Sequence, residues 1–278
     1  FGLDAIREIF SFSAYQFLFN AINYFSRNLD KLLIGKCMGM TPLGYYEKSY
    51  RLMMLPLQNI THVISPVMHP VFSEFQHDLQ RVRTSYEKIV RLLAFIGFPL
   101  SVFLWFAAQE VVLIIFGSQW MPSVPVFRIL SLSVGVQIVL ASSGGIFQAA
   151  NDTRSLFVSG AFSATLNVAG ILVGIFVFRS LEAVAWCICV TFTINFVQCY
   201  WMMFAKSRLS GFCRQLVSPL AVSGILVLLL GATTALTKDS PELVSILAKG
   251  AVFLLTLFVY LQVSGEYDIL AKFKRKGN

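Results

Sequence analysis

Ser13, Gln16, Asn20, Asn23, Arg27, Asp30 and Lys31 follow one another at intervals of 3, 4, 3, 4, 3 and 1 residues. On an α-helix those intervals put the side chains on one face. The row opens with a hydroxyl and amides and ends in two cations and a carboxylate. At a rise of 1.5 Å per residue it extends for about 27 Å, close to the hydrocarbon thickness of a bilayer. A second row, Lys48, Arg51, Gln58, His62, Ser65, His69, Ser73 and Gln76, recurs mostly at three and four. Groups of these kinds suit an anionic or hydroxyl-rich cargo. Arginine grips a phosphate with two donors, and lysine supplies a point charge. Pro56, Pro66 and Pro70 interrupt the second row, which suits a kinked helix with a wet face.

Covalent and metal chemistry find little support. The histidines at 62, 69 and 77 are spaced by seven and eight, without an accompanying cysteine or acid cluster. His62 and His69 share the polar face, so a cavity-lining or proton-linked role suits them better than a metal. The five cysteines are scattered; Cys187 and Cys189 form CxC inside an apolar run and read as small membrane residues, neither bridged nor zinc-bound. GxGxxG, P-loop, GxSxG and HExxH patterns do not occur. We therefore expect no enzyme, no cofactor and no metal.

The elements that must carry these rows follow from composition. The chain has 278 residues, 56% of them apolar and 13% charged. Soluble domains carry about 25% charged residues and could not bury this much apolar surface in one core. Near-uncharged stretches run between Glu8 and Arg27, Arg51 and Glu74, Arg91 and Glu110, Arg128 and Asp152, Arg154 and Arg179, Glu182 and Lys206, and Arg214 and Lys238. An eighth apolar run begins near Leu243 and continues past Lys249 toward Glu266. The expected fold is an all-α integral membrane protein of about eight transmembrane helices. Residues 111–127, broken by Gly117, Pro122 and Pro125, are expected to end the third helix and continue as an interfacial loop holding Trp120.

Eight spans put both ends on one side. The tail Lys272, Lys274, Arg275 and Lys276 places that side in the cytoplasm, together with Arg7, Arg81, Arg83, Lys88, Arg91, Arg154, Lys206, Arg208 and Arg214. The net charge of +8 is thus loop charge that sets orientation, with no nucleic-acid partner. The exception is 27–51, five basic residues on the other side, where function is expected to concentrate. Further polar faces occur on the fourth to sixth helices: Ser133, Gln137 and Gln148; Ser155, Ser159, Ser163 and Asn167; Thr191, Asn195 and Gln198. These serve interhelical hydrogen bonds or a shared aqueous cavity. The last two helices lack such faces and are expected at the periphery.

Residues 28–56 read NLDKLLIGKCMGMTPLGYYEKSYRLMMLP. This resembles the bacterial polysaccharide exporters, the oligosaccharide-lipid flippases of the multidrug/oligosaccharidyl-lipid/polysaccharide superfamily. VISPVMHPVFSEFQHD (63–78) and IIFGSQW (114–120) resemble them too. The resemblance implies two six-helix lobes that alternate access around a mid-membrane site. Residues 1–205 would be the second lobe, and 206–278 two additional transmembrane helices with a basic cytoplasmic tail. The sequence begins with Phe1, and on this reading it is a piece of a longer chain. The implied activity is export of lipid-linked oligosaccharide across the bacterial inner (cytoplasmic) membrane. An undecaprenyl-pyrophosphate glycan would be the cargo, and a polysaccharide polymerase and glycosyltransferases would be partners beside the membrane lipids. Arg27, Lys31, Lys48 and Arg51, with Gln16, Asn20, Asn23 and Gln58, would bind it. Asp30, which could pair with Arg27 or Lys31 or bind a coupling cation, joins His62 and His69 as coupling candidates. Tyr45, Tyr46 and Tyr50 would anchor the helix or stack on sugars. A multidrug/cation antiporter of the same superfamily and a membrane-embedded polysaccharide synthase are the alternatives.

Overall fold

The computed structural model describes residues 3–74, 79–144, 147, 153–204, 210–238 and 240–264. Ten α-helices are described within them. They are α1 (Leu3–Met38), α2 (Met40–Glu74), α3 (Leu79–Phe106), α4 (Ala108–Phe116), α5 (Val124–Ser131), α6 (Val134–Ala141), α7 (Thr153–Leu172), α8 (Leu181–Phe204), α9 (Ser210–Leu236) and α10 (Glu242–Ser264). Five stretches are long and apolar enough to cross a membrane: 86–106, 154–178, 181–202, 215–236 and 242–262. The broken pair at 118–141 makes a sixth if it is one span. The protein is a multi-pass helical membrane protein. α1 and α2, 36 and 35 residues long, have more than the length but carry the polar rows, which lower their apolar content. The apolar count is therefore below the eight expected.

The expected segment at 27–51 is not a loop. α1 runs on to Met38, turns at Gly39 with φ +99°, and α2 starts at once. Glycine takes that left-handed conformation without a steric penalty. Pro42 falls in the first turn of α2, where no backbone donor is needed. The helix continues through Pro56, Pro66 and Pro70 without a break.

Two expected spans are interrupted. The third ends at Phe106, and α4 restarts after Ala107. α4 itself ends at Gly117, φ +87°, before a 3-10 turn over Ser118–Ser123. The fourth bends by 52° between the segments 118–131 and 134–141. Serines occupy carbonyls at the bend: Ser131 Oγ donates to Arg128 O at 2.7 Å and Ser133 Oγ to Leu130 O at 2.7 Å. Short hydroxyl side chains compete for helix carbonyls in this way and bend helices. Gln148 and the rest of 148–152 lie outside the described residues.

α3 and α6 cross with their backbones in contact. A Cβ on Gly135 would stand 2.9 Å from the Gly97 carbonyl carbon, and the Gly135 N–H donates to Ser101 Oγ at 2.6 Å. Glycine pairs permit such crossings in membranes. Gly170 of α7 lies close against the Thr191 side chain of α8, and Gly174, in the π-helical turn Val173–Phe178 that continues α7, lies against the Val184 backbone. The core between them is closed by a tyrosine cluster in which the Tyr86 and Tyr200 hydroxyls lie 2.8 Å apart and Tyr86 reaches Ser142 Oγ at 3.1 Å. α9 packs along α3, and α10 packs on α9. Their outward faces expose Val217, Leu228, Leu247 and Leu254, as lipid contact requires.

Candidate functional site

A cavity of about 350 Å³ opens between α1, α2, α6, α7 and α8. Its polar lining includes Asn20 of α1, Gln137 of α6, Ser143 just after it, Ser159, Ser163 and Asn167 of α7, and Asn195 of α8. These are amides and hydroxyls; no charged side chain lines it among the described residues. Part of this polar lining is committed to structure. Gln137 Nε2 donates to Ser133 Oγ at 2.8 Å, Ser159 Oγ to Gln198 Oε1 at 3.1 Å, and Thr191 Oγ1 to Asn167 Oδ1 at 2.7 Å. The Asn195 side-chain oxygen is buried with no hydrogen-bond partner among the described residues. A buried acceptor without a donor is costly, so this atom favours a donating guest. Both uses foreseen for the polar faces of the fourth to sixth helices, interhelical bonding and cavity lining, thus coexist.

Of the cations expected to line a binding cavity, Lys31, Lys48 and Arg51 do not line this one. Lys48 is half-buried with its Nζ 4.9 Å from the ring centres of both Phe116 and Trp120. It fastens α2 to α4 and the 3-10 turn by cation–π contact. Tyr45 joins them edge-on to Trp120 at 6.1 Å. Trp120 is therefore a packing residue as well as an interfacial one. Lys31 Nζ lies 3.4 Å from Glu47 Oε1 across the α1–α2 hairpin, partly exposed.

Asp30 is 3% exposed. The Tyr46 hydroxyl donates to its Oδ2 at 2.6 Å and the Lys31 backbone N–H to its Oδ1 at 2.7 Å. Of the partners foreseen for this carboxylate, the Lys31 side chain pairs with Glu47 instead, and the carboxylate ties the two arms of the hairpin through Tyr46. Tyr46 itself is fully buried, so it neither anchors at an interface nor meets a sugar.

Gln16 is half-buried, with Nε2 3.4 Å from Asn20 Oδ1. The side chains of Asn23, Arg27 and His69 lie outside the described residues. Arg51, Gln58 and His62 are exposed on α2, in one row with exposed Glu47 and Leu55. The site thus has two parts: a neutral amide-lined cavity inside the bundle, and a polar row with charge on the open face of α2.

Sequence inspection did not single out one further polar centre. Lys249 of α10, 2% exposed, makes a close ion pair with Glu110 of α4, 6% exposed, and donates to the Phe106 carbonyl at 2.9 Å. Ser245 Oγ donates to the same Glu110 oxygen at 2.6 Å. The available signal was Lys249 standing inside an apolar run that begins at Leu243.

The helical arrangement is shared with solved membrane proteins. It matches a lipid II flippase, MurJ, in an inward closed conformation with a TM-score of 0.68 at 13% identity, over 88% of this chain and 52% of that one. It also matches an outward-facing MATE-family multidrug resistance transporter with a TM-score of 0.64 at 10% identity, over 91% and 64%. Residues 1–125 match the family described as polysaccharide biosynthesis protein. The chain is 25% identical over 285 residues to the teichuronic acid biosynthesis protein TuaB of Bacillus subtilis (strain 168), covering 100% of this chain and 58% of that protein. It is 24% identical over 174 residues to the lipopolysaccharide biosynthesis protein WzxC of Escherichia coli (strain K12), covering 63% and 35%. The resemblance read from residues 28–78 is borne out. The chain spans little more than half the length of TuaB and of MurJ.

Proposed function

We propose that this chain forms one lobe of an alternating-access transporter that carries a lipid-linked saccharide across a bacterial cytoplasmic membrane. The exposed row Glu47, Arg51, Gln58 and His62 along α2 carries the proposal. Charge at membrane depth is expensive and turns toward water, a partner or a cargo. The outer faces of α9 and α10, by contrast, expose leucine and valine. The open face of α2 therefore borders an aqueous cleft against a second body, the other lobe.

The cargo class follows from both parts of the site. A pyrophosphate between saccharide and polyprenyl lipid meets Arg51 and Lys31, and sugar hydroxyls meet amides such as Asn20 and Asn195. The relatives' names point to teichuronic acid and lipopolysaccharide biosynthesis, and that of a structural neighbour to lipid II. Transport of this kind moves a head group through a polar path and needs no covalent step. A polymerase and glycosyltransferases would stand on either side of it. Residues 1–205 form the lobe, 206–278 the added pair and tail, and both ends face the cytoplasm. The antiporter alternative needs a carboxylate open to the cavity, whereas Asp30 is enclosed by its hairpin.

The test is Lys31→Gln with Arg51→Gln in the full-length protein, expressed in cells lacking the matching exporter. Polymer export is expected to fall about tenfold or more, since charge-assisted hydrogen bonds to phosphate are lost, with the protein level unchanged. Normal export by that variant would overturn the cationic contact.

A further inference from the structure

A second groove, of about 290 Å³, opens between α3, α9 and α10, apart from the cavity and the hairpin. On α3 its wall is Lys88, Arg91, Leu92 and Phe95. These are positions i, i+3, i+4 and i+7, one row of the helix, with charge at one end and hydrocarbon at the other. α9 adds the Ser218 hydroxyl and α10 adds Leu261. Among the described residues no carboxylate lines the groove.

Its depth can be read from the apolar stretches 86–106, 215–236 and 242–262. Lys88 and Arg91 stand near the start of the first, Ser218 near the start of the second, and Leu261 at the end of the third. All three helices therefore bring the same membrane boundary to the groove. The charged end lies at headgroup level, and Leu92 and Phe95 lead into the hydrocarbon.

The geometry points to a binding site for one anionic phospholipid between α3 and the terminal helix pair. Its phosphate lies against Lys88 and Arg91, beside the Ser218 hydroxyl that is hydrogen-bonded to Tyr260, and its acyl chains run along Leu92, Phe95 and Leu261. Basic pockets between transmembrane helices at a membrane surface recognise anionic headgroups by this chemistry. A bound lipid would fill the seam where α9 meets the lobe.

Native mass spectrometry of the full-length protein in detergent tests this with three probes: phosphatidylglycerol, phosphatidylcholine and inorganic phosphate. Phosphatidylglycerol is expected to bind more tightly than phosphatidylcholine and to resist displacement by phosphate. Lys88→Gln with Arg91→Gln should weaken phosphatidylglycerol about twenty-five-fold, about fivefold for each basic side chain, and leave phosphatidylcholine unchanged. Leu92→Trp, which keeps both charges but fills the apolar half, should also weaken phosphatidylglycerol. Equal binding of the two lipids, or unchanged phosphatidylglycerol affinity in either variant, would overturn the proposal. Displacement by phosphate would replace the lipid with a simple anion.

Discussion

Replacing Lys249 with methionine is expected to cost about 3–5 kcal/mol of stability. The ammonium is 2% exposed and holds both Glu110 and the carbonyl of Phe106, the last residue of α3. Without it the Glu110 carboxylate stays buried with the Ser245 hydroxyl on one oxygen, and its Oε2 has no partner among the described residues even in the parent. An uncompensated buried charge is among the costliest single defects in a fold. The double replacement Lys249→Met with Glu110→Leu removes both charges and should recover most of the loss, because apolar packing can stand in for a buried pair. The fraction of folded protein after graded heating in detergent measures both. A single variant as stable as the parent would mean that the pair does not fasten α10 to α4.

The second large effect is expected at the hairpin. Tyr46→Phe removes the hydroxyl that donates to Asp30 and leaves that buried carboxylate oxygen without a donor. Hydrogen bonds to charged groups contribute about 1.5–3 kcal/mol. The same heating assay should show a loss of that size, and Asp30→Asn, which removes the charge as well, should cost less than Asp30→Ala. If Asp30 instead served a coupling cation, Tyr46→Phe would leave stability alone and change the ion dependence of transport.

These two centres also show what a sequence can reveal here. The all-helical membrane class and the polar rows were legible because burial in lipid imposes a run of apolar residues and a helical period on any side chain that must avoid it. The exposed row of Arg51, Gln58 and His62 lies on the face that its spacing indicated. The Asp30–Tyr46 bond, spanning sixteen residues across a tight turn, was hidden because 27–51 read as a basic segment with no sign of the turn at Gly39 that folds its two helical arms together. Glu110 and Lys249 were hidden for a different reason. Each ends or interrupts an apolar run, so each resembles a membrane boundary, and only the fold brings them together across 139 positions. Lys48 resembled a phosphate ligand by type, yet the aromatic rings of Phe116 and Trp120 come from another element. Spacing along one helix says which face a group takes and nothing of what packs against it.

The central claim is that the open face of α2 borders water within the membrane. Single cysteines at positions 51, 58 and 62 of the full-length protein, treated with a membrane-impermeant maleimide, measure this directly, with cysteines at lipid-facing positions 228 and 254 as controls. The account predicts labelling at the three α2 positions and none at the two controls. Positions 58 and 62 as unreactive as 228 and 254 would contradict it and leave a packed helical bundle with no path for a polar cargo.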